Sequence, residues 1–466
     1  NLSEWNHYWE RCVGSGHAWL GTRQDWRDAL TIAREKLGFQ RVRFHGIFDD
    51  DMNVYQELPN GQVQYSFYNV DQVYDFLLSI GVEPLVELSF MPTPMSSGTQ
   101  TIFHYKANIT PPKDYKLWSD MIVAFLEHLI DRYSFDVVKS WYFEVWNEPN
   151  CGFWTGNQTE YFTMLQVTSD AVKSVSQELM VGGPATCQSQ WLQETLDFVK
   201  DNNVALDFVS THEYPTDIEP LQRGIMRQVL NQSRNTVGQS MPLFYTEYND
   251  GLLPQVNLHD NTYAATFAIF NVIDVYGFVD IFSWWTFSDI FEEQGQQSVP
   301  FNEGFGLQTI YNIPKPSFKA FELLHETGQQ RALVTGDVDH PTVGLLVTTD
   351  DEQQHDEISI IVYNYNIPNG TIESASVLIT LENLPTNRYD ATLRRIDQDN
   401  CNPLATWQRQ GSPTYPTRTQ IDELQESAEF RVENIQFKVL DSSTIQFKLD
   451  LSPISIAAIT IIKVDH

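Results

Sequence analysis

Residues 141–150 read Trp-Tyr-Phe-Glu-Val-Trp-Asn-Glu-Pro-Asn, a short apolar run that ends in a polar turn containing Glu148. A second run of this kind, Phe-Tyr-Thr-Glu-Tyr at 244–248, carries Glu247 near its end. Short apolar runs that end in polar or turn-forming residues are typical of buried strands in a parallel sheet. Because such strands deliver their last residues to one edge of the sheet, we expect Glu148 and Glu247 to lie close together.

Six further runs of this kind alternate with stretches of helical period. The predicted strands are 18–22, 41–45, 83–90, 141–148, 180–183, 208–214, 243–247 and 281–287. The predicted helices are 23–37, 69–80, 114–133, 160–177, 191–202, 220–239, 262–276 and 317–327. Eight strand–helix pairs predict an α/β fold, a (β/α)8 TIM barrel. The alternative is a doubly wound open sheet, which is disfavoured because no Gly-x-Gly-x-x-Gly turn follows the first predicted strand.

From about residue 329 the pattern changes to an alternation of period two, without helices. Apolar and polar side chains alternate most clearly at Ile445, Phe447, Leu449 and Leu451. This pattern predicts a β-sandwich. The predicted domains are a catalytic barrel over 13–327 and an accessory β-sandwich over 328–466, which residues 1–12 could join. The sandwich could bind carbohydrate or buttress the barrel, and we expect it to buttress the barrel, because its few aromatic residues form no obvious platform for a ligand.

The composition limits the kinds of partner. The chain has 61 acidic and 29 basic residues, for a formal charge of −32, and such a surface repels phosphate backbones. We therefore expect no nucleic-acid partner. The absence of an apolar run of 18 residues predicts that the chain does not span a membrane. The oligomeric state is left open by these features.

The four cysteines and five glycosylation sequons bear on the compartment. The cysteines are scattered without a Cys-x-x-Cys pair, so a zinc site is unsupported, and one or two disulfides of unknown pairing are possible. The sequons are at Asn1, Asn108, Asn157, Asn231 and Asn369. The chain begins at Asn1 without an initiator Met, which fits a processed secreted protein or a trimmed chain. We expect a secreted glycoprotein.

Polar residues at the ends of the predicted strands are candidate site residues, because active sites of these barrels lie there. They are Arg43 and His45 on the second strand, Asn147 and Glu148 on the fourth, His212 and Tyr214 on the sixth, Glu247 on the seventh, and Trp285 on the eighth, with Glu292 and Glu293 soon after. Paired carboxylates around a scissile bond are the usual machinery of glycoside hydrolysis. We therefore predict a glycosidase with a carbohydrate substrate, in which Glu148 and Glu247 are catalytic. We expect Glu144 and Glu213 to be structural.

Three motifs, taken in their order along the chain, resemble glycoside hydrolase family 39 of the clan A retaining glycosidases. They are Arg43-Phe44-His45-Gly46, Trp146-Asn147-Glu148-Pro149-Asn150, and Trp285-Thr286-Phe287-Ser288-Asp289 followed by Glu292-Glu293. The resemblance spans about residues 13–325, and the tail is similar in kind to the β-sandwich of the family. The run 211–215 and the block 285–293 resemble the β-D-xylosidase branch. The α-L-iduronidase branch supplies basic groups after the sixth strand, whereas 213–219 contains no Lys or Arg here.

The resemblance implies retention through a covalent glycosyl-enzyme, with Glu247 as the nucleophile and Glu148 as the acid/base. The resemblance also implies roles for the residues around them. Asn147 would hydrogen-bond to the sugar 2-hydroxyl, and Tyr214 and Arg43 would orient Glu247. His212 would lie near the acid/base, His45 would bind sugar hydroxyls, and Trp285 would form the floor under the sugar ring. Phe90, which ends the third predicted strand, is expected to wall the pocket. Glu292 and Glu293 are candidates for binding ring hydroxyls.

No metal or organic cofactor is expected for this chemistry. The closest alternative is another family 39 retaining glycosidase, of the α-L-iduronidase, β-glucosidase or α-L-arabinosidase type. An alternative of a different class is a non-catalytic carbohydrate-binding barrel, which would be indicated by the loss of one carboxylate. Both carboxylates are present here.

Overall fold

The computed structural model describes residues 2–218, 221–252, 258–336, 340–350, 357–385 and 388–464. Eight parallel strands close into a barrel: β1 Val13–His17, β2 Arg41–His45, β3 Glu83–Leu88, β4 Tyr142–Val145, β5 Met180–Thr186, β6 Phe208–Glu213, β7 Leu243–Tyr248 and β8 Ile281–Trp284. Trp284 of β8 pairs with Val13 of β1, which closes the barrel. The predicted (β/α)8 barrel is confirmed, and the open-sheet alternative is wrong.

Helices cover the outside of the barrel. Those that follow the strands are α1 Gln24–Leu37, α2 Tyr68–Ser79, α3 Tyr115–Tyr133, α4 Gln158–Val175, α5 Leu192–Asp201, α6 Ile225–Val237, α7 Thr262–Asp274 and α8 Pro316–His325. In α3, Asp114 accepts a hydrogen bond from the Lys116 N–H and caps the helix, and one face of the helix, which includes Trp118, Phe125 and Leu129, is buried. The predicted helix 220–239 begins later, at Ile225, while Pro220 itself lies outside the described residues. None of the helices in the described ranges combines the length and apolarity that a bilayer crossing requires.

The first predicted strand is wrong. Residues 18–22 form a short 3-10 helix, Ala18–Thr22, and the first barrel strand precedes it at Val13–His17. This strand reads Val-Gly-Ser-Gly-His, so it lacks the apolar run that marks the other strands. Its glycines are required by close packing, because a Cβ on Gly14 would lie 2.5 Å from Cε3 of Trp285, and one on Gly16 would lie 2.7 Å from Phe291.

The C-terminal part contains two antiparallel sheets. One has seven strands in the order Leu2–Glu4, Gln330–Ala332, Val343–Thr349, Glu357–Asn364, Ser455–Val464, Arg388–Ile396 and Glu433–Asn434. The other has three, in the order Ala375–Leu381, Thr444–Leu451 and Lys438–Asp441. Side chains of both sheets share one apolar cluster, which includes Phe447 and Ile459. The antiparallel tail is therefore confirmed, while its classification as a sandwich domain and the boundaries 13–327 and 328–466 stay predictions.

The prediction that the tail lacks helices is wrong. Helices α9 Pro403–Arg409 and α10 Arg418–Ala428 lie between its strands. Thr417 and Gln420 form a capping box at the start of α10. The helix buries only Leu424 and Ala428, too few side chains to give a clear helical stripe in the sequence.

The seven-stranded sheet also packs against the outside of the barrel. The ring of Tyr365, just after Glu357–Asn364, stacks on Phe270 of α7 with centroids 4.9 Å apart. Ile456 and Ala458 of another strand belong to the same buried cluster as the barrel core. The tail thus covers apolar surface of α7, which is the support expected of a buttress.

The cysteines and sequons have distinct environments. Cys151 and Cys187 form a disulfide, which joins the turn after β4 to the segment after β5. Cys12 and Cys401 are buried free thiols. Asn108 is buried and donates to the Gly98 carbonyl, so a glycan could not be attached there in the folded chain. Asn1 lies outside the described residues, and the predicted secretion and glycosylation stay predictions.

A fully buried lysine ties together the loops around the end of β8. Nζ of Lys315 lies 2.6 Å from Asp260 and 2.7 Å from Asp289, and it donates to the Gly304 carbonyl at 2.8 Å. Burial lowers the pKa of Lys315, but the two carboxylates outweigh this effect and raise the pKa above its ordinary value. A cation is therefore built into this part of the core.

We expect Lys315→Met to lower the free energy of unfolding by about 3–5 kcal/mol, because two buried carboxylates would lose their cation. The matched control is Lys116→Met, since Lys116 pairs with Asp120 on the exposed face of α3. Loss of an exposed pair changes the stability by less than about 1 kcal/mol. Urea titrations at pH 7 measure both values, and equal small losses would contradict the structural role of Lys315.

Candidate active site

Two buried carboxylates meet at the C-terminal end of the barrel. Glu148 follows β4, and Glu247 lies near the end of β7. The two residues are 9% and 5% exposed to solvent. One oxygen of each carboxylate lies within 4.8 Å of the other and of a ring nitrogen of His212. The closeness expected from the two strand ends is thus present in the fold.

Arg43 of β2 is the hub of the cluster. Its Nε donates to Glu144 at 2.5 Å and one Nη donates to Glu247 at 2.7 Å. The other Nη donates to Oδ1 of Asn147 at 2.9 Å and lies 2.9 Å from Glu87. Burial lowers the pKa of Arg43, but the surrounding carboxylates outweigh it and raise the pKa. The guanidinium is therefore a permanent buried cation.

Glu247 is held at both of its carboxylate oxygens. Oε1 accepts from Arg43, and Oε2 accepts from the Tyr214 hydroxyl at 2.8 Å. Burial raises the pKa of Glu247, while Arg43, His45 and the Tyr214 hydrogen bond act in the opposite direction, so that the pKa is about 7. These contacts favour the charged carboxylate.

Glu148 has a different environment. Its Oε1 lies 2.8 Å from Nδ1 of His212, and its backbone N–H donates to the Ala185 carbonyl at 2.8 Å, which fixes the turn after β4. Burial raises the pKa of Glu148 well above its ordinary value, and the charge of Glu247 raises it further. Of the two carboxyl groups, Glu148 is therefore the one that keeps its proton at neutral pH.

A second cation lies beside Arg43. Nδ1 of His45 lies 2.8 Å from Glu87, and Nε2 lies 3.4 Å from Glu293. Burial lowers the pKa of His45, but Glu87 and Glu293 outweigh it and raise the pKa to about 10. Glu87 also accepts a hydrogen bond from the Ser89 hydroxyl. His45 is thus an imidazolium held in place by β3.

Aromatic rings surround His45. Trp285 lies 4.8 Å from it and Phe90 5.8 Å, measured between ring centroids. Phe103 stacks on the same imidazole at 5.7 Å. Phe90 and Trp285 therefore lie beside the carboxylate cluster, as expected, although their contacts with a sugar stay predictions.

The structure separates the two candidate glutamates after β8. Glu293 reaches His45 and thereby the central cluster. Glu292 instead lies 3.4 Å from Arg23 and 3.6 Å from Nδ1 of His17 at the end of β1. Glu292 thus contacts His17 and Arg23, and no contact joins it directly to Glu148 or Glu247 among the described residues.

Sequence reasoning missed Glu87, Ser89, Phe103 and Thr246 of the central cluster, and it missed His17 beside Glu292. Glu87 lies within an otherwise apolar predicted strand, and a buried charge in such a run is the signal that could have revealed it. His17 was hidden because the glycine-rich strand β1 was not recognised. Glu213, as expected, points elsewhere: it accepts from Ser189 at 2.7 Å, and burial raises its pKa to about 8.

Within the described ranges, three groups of side chains have donor atoms close enough together to hold a cation. They are His7 with Glu10 and His325, His17 with Asp49 and Asp51, and Glu148 with His212 and Glu247. Direct contacts between the members account for these groups, since the imidazoles lie 2.7–3.6 Å from the carboxylates. The prediction that the chemistry needs no metal or organic cofactor stays a prediction.

Comparison with known proteins agrees with this geometry. The model of the glycosyl hydrolases family 39 matches residues 1–439. A β-xylosidase from Caldicellulosiruptor saccharolyticus is 40% identical over 99% of this chain and 96% of its own, and one from Geobacillus stearothermophilus is 34% identical over 89% and 85%. The crystal structure of a β-xylosidase from Caulobacter crescentus superposes with a TM-score of 0.89 at 29% identity, over 99% of this chain and 97% of its own. The chain belongs to glycoside hydrolase family 39.

Proposed function

We propose that this glycosidase cleaves β-D-xylosides with retention of configuration, using Glu247 as the nucleophile and Glu148 as the acid/base. The closeness of the two carboxyl groups is the observation that supports retention, since one oxygen of Glu148 and one of Glu247 lie within 4.8 Å of each other. Retaining glycosidases hold the carboxyl groups about 5–5.5 Å apart, whereas inverting ones separate them by about 6.5–9.5 Å to admit a water molecule.

In the first step, a carboxylate oxygen of Glu247 attacks the anomeric carbon while Glu148 transfers its proton to the departing oxygen. The bond to the aglycone breaks, and a glycosyl ester of Glu247 forms. Ester formation removes the negative charge of Glu247, so the pKa of Glu148 falls. Glu148 is then an ionised base that takes a proton from water, and this water attacks the anomeric carbon and releases Glu247.

The residues around Glu247 and Glu148 favour these two reaction steps. Arg43 and Tyr214 keep Glu247 charged and fix both of its oxygens, which reduces the reorganisation needed for attack. Because Oδ1 of Asn147 already accepts from Arg43, its amide N–H groups are the part left to bind the sugar 2-hydroxyl. His45, with Nδ1 bound to Glu87, offers the Nε2 side of its ring toward Glu293 and the sugar.

The choice of β-xylosides is supported by relatives of that name at 40% and 34% identity, aligned over most of both chains. An α-L-iduronide would need a cation for its carboxylate, and the stretch 213–219 contains none. A non-catalytic barrel is disfavoured by the presence of both carboxyl groups in unequal environments, since the Arg43 and Tyr214 contacts that lower the pKa of Glu247 are made to that carboxyl and not to Glu148.

We expect the β-xyloside to be the best substrate among nitrophenyl β-xyloside, β-glucoside, α-arabinoside and α-iduronide. A pocket shaped for xylose discriminates against the extra hydroxymethyl group of glucose by about 10–200-fold in kcat/KM. Initial rates of nitrophenol release measure this preference, and Glu247→Ala controls for contaminating activity. A preference for another sugar that depends on Glu247 would refute the substrate and keep the mechanism.

We expect Glu247→Ala to lower kcat by about 10⁴-fold or more, because no covalent intermediate can form. Azide should restore activity by attacking from the vacated side, which gives the α-xylosyl azide from a β-xyloside. With Glu148→Ala and an activated aryl xyloside, azide should instead displace Glu247 and give the β-azide. NMR of the products distinguishes the two anomers, and the opposite stereochemistry would overturn the assigned roles.

We expect Tyr214→Phe to move the acidic limb of the kcat/KM profile to higher pH. The hydroxyl donates to the charged form of Glu247, so its loss disfavours ionisation and raises the pKa of that carboxyl. Hydrogen bonds to charged groups contribute about 1.5–3 kcal/mol, which corresponds to about 1–2 pH units. Tyr245→Phe is the matched control, because the Tyr245 hydroxyl bonds to Ser189 and Ser233 instead. An unmoved limb in Tyr214→Phe would contradict this assignment.

A further inference from the structure

A chain of hydrogen bonds runs from Glu148 into the barrel interior. Nδ1 of His212 lies 2.8 Å from Oε1 of Glu148, and Nε2 lies 3.1 Å from the Thr246 hydroxyl oxygen. That hydroxyl in turn lies 2.8 Å from Oε1 of Glu144. The three inner residues come from β6, β7 and β4, and all are fully buried.

The donor and the acceptor of each hydrogen bond can be assigned by starting from Glu144, at the inner end of the chain. Glu144 is paired with Nε of Arg43 at 2.5 Å, so it is a carboxylate that only accepts hydrogen bonds. The Thr246 hydroxyl has a single hydrogen, which it donates to Glu144. Its oxygen is therefore left to accept, and the donor must be Nε2–H of His212.

His212 is neutral in this environment. Burial lowers its pKa well below the ordinary value, and the nearby charges of Arg43 and His45 lower it further. A neutral imidazole with a hydrogen on Nε2 has a bare lone pair on Nδ1. The 2.8 Å contact with Glu148 is then a hydrogen bond donated by the carboxylic acid to Nδ1.

We propose that Glu144 and Thr246 are positioning residues that fix His212 as its Nε2–H tautomer and thereby keep the acid proton on Oε1 of Glu148. This inference rests on the proposed role of Glu148 as the acid. The opposite tautomer would donate from Nδ1 to an ionised Glu148 and so favour loss of the proton before catalysis. After proton transfer, the lone pair on Nδ1 faces the Glu148 carboxylate and favours its reprotonation by the attacking water.

Other ionisable groups also act on Glu148 and His212, and they are the same in the variants considered below. They are Arg43 and His45 of β2, Tyr214 after β6, Glu247 of β7 and Glu293 after β8, while Glu87 of β3 acts on Glu247. A change confined to Thr246 therefore tests the tautomer against a constant electrostatic background.

We expect Thr246→Val to remove the acceptor for Nε2–H, so that His212 takes the Nδ1–H tautomer and stabilises ionised Glu148. The alkaline limb of the kcat/KM profile should move to lower pH by about 1–2 pH units, since a hydrogen bond to a charged group is gained. The loss in kcat/KM should be larger for an alkyl β-xyloside than for a dinitrophenyl β-xyloside, whose leaving group departs without a proton. Thr246→Ser keeps the hydroxyl and should resemble the wild type in both measurements.

An equal loss for both substrates with an unmoved alkaline limb would overturn the proposal, because it would show a structural role only. ¹⁵N chemical shifts of histidine in the wild-type protein give a test that does not depend on how the variant folds. The signal assigned through His212→Gln should show a protonated Nε2 and a bare Nδ1 at pH 6–7, and an Nδ1–H or doubly protonated ring would overturn the proposal. Wild-type-like cleavage of the alkyl xyloside by Glu148→Ala would instead refute the proposed function, whatever the tautomer.

Discussion

The active site is organised by the ion pairs of the buried Arg43 guanidinium. This guanidinium contacts residues of three other strands: Glu87 on β3, Glu144 on β4 and Glu247 on β7. Each carboxylate would be costly to bury alone, and a shared cation that is always charged compensates all three. The rigid fork of donors also sets the distance between these strands at the end where Glu148 and Glu247 meet.

The position of Arg43 makes the two central carboxyl groups unequal. Glu247 receives hydrogen bonds from Arg43 and Tyr214, both of which favour its charged form. Glu148 contacts neutral His212 and feels the charge of Glu247. Two chemically identical side chains thereby acquire unequal tendencies to hold a proton, and a double displacement requires such a difference between its acid and its nucleophile.

The hydrogen bonds of Glu144 at the inner end of the site add to this difference between Glu148 and Glu247. Glu144 accepts from Arg43 and from Thr246, so the same buried cation that holds Glu247 also determines the direction of the hydrogen bonds that reach Glu148 through His212. A residue expected to be structural is therefore connected to both halves of the proposed mechanism. The tail acts at a greater distance, by covering α7 on the outside of the barrel.

The barrel and the meeting of Glu148 and Glu247 could be predicted from the sequence alone, because alternating apolar runs and helical stripes are local patterns and parallel strands end at one edge. The sequence could not reveal β1, whose glycines are selected by contact with Trp285 and Phe291. It could not reveal helix α10 either, which buries two side chains only. The folded protein was needed to find the partners of Arg43, the separation of Glu292 from Glu293 and the orientation of Thr246. These features depend on distances between side chains of different strands, which no local pattern encodes.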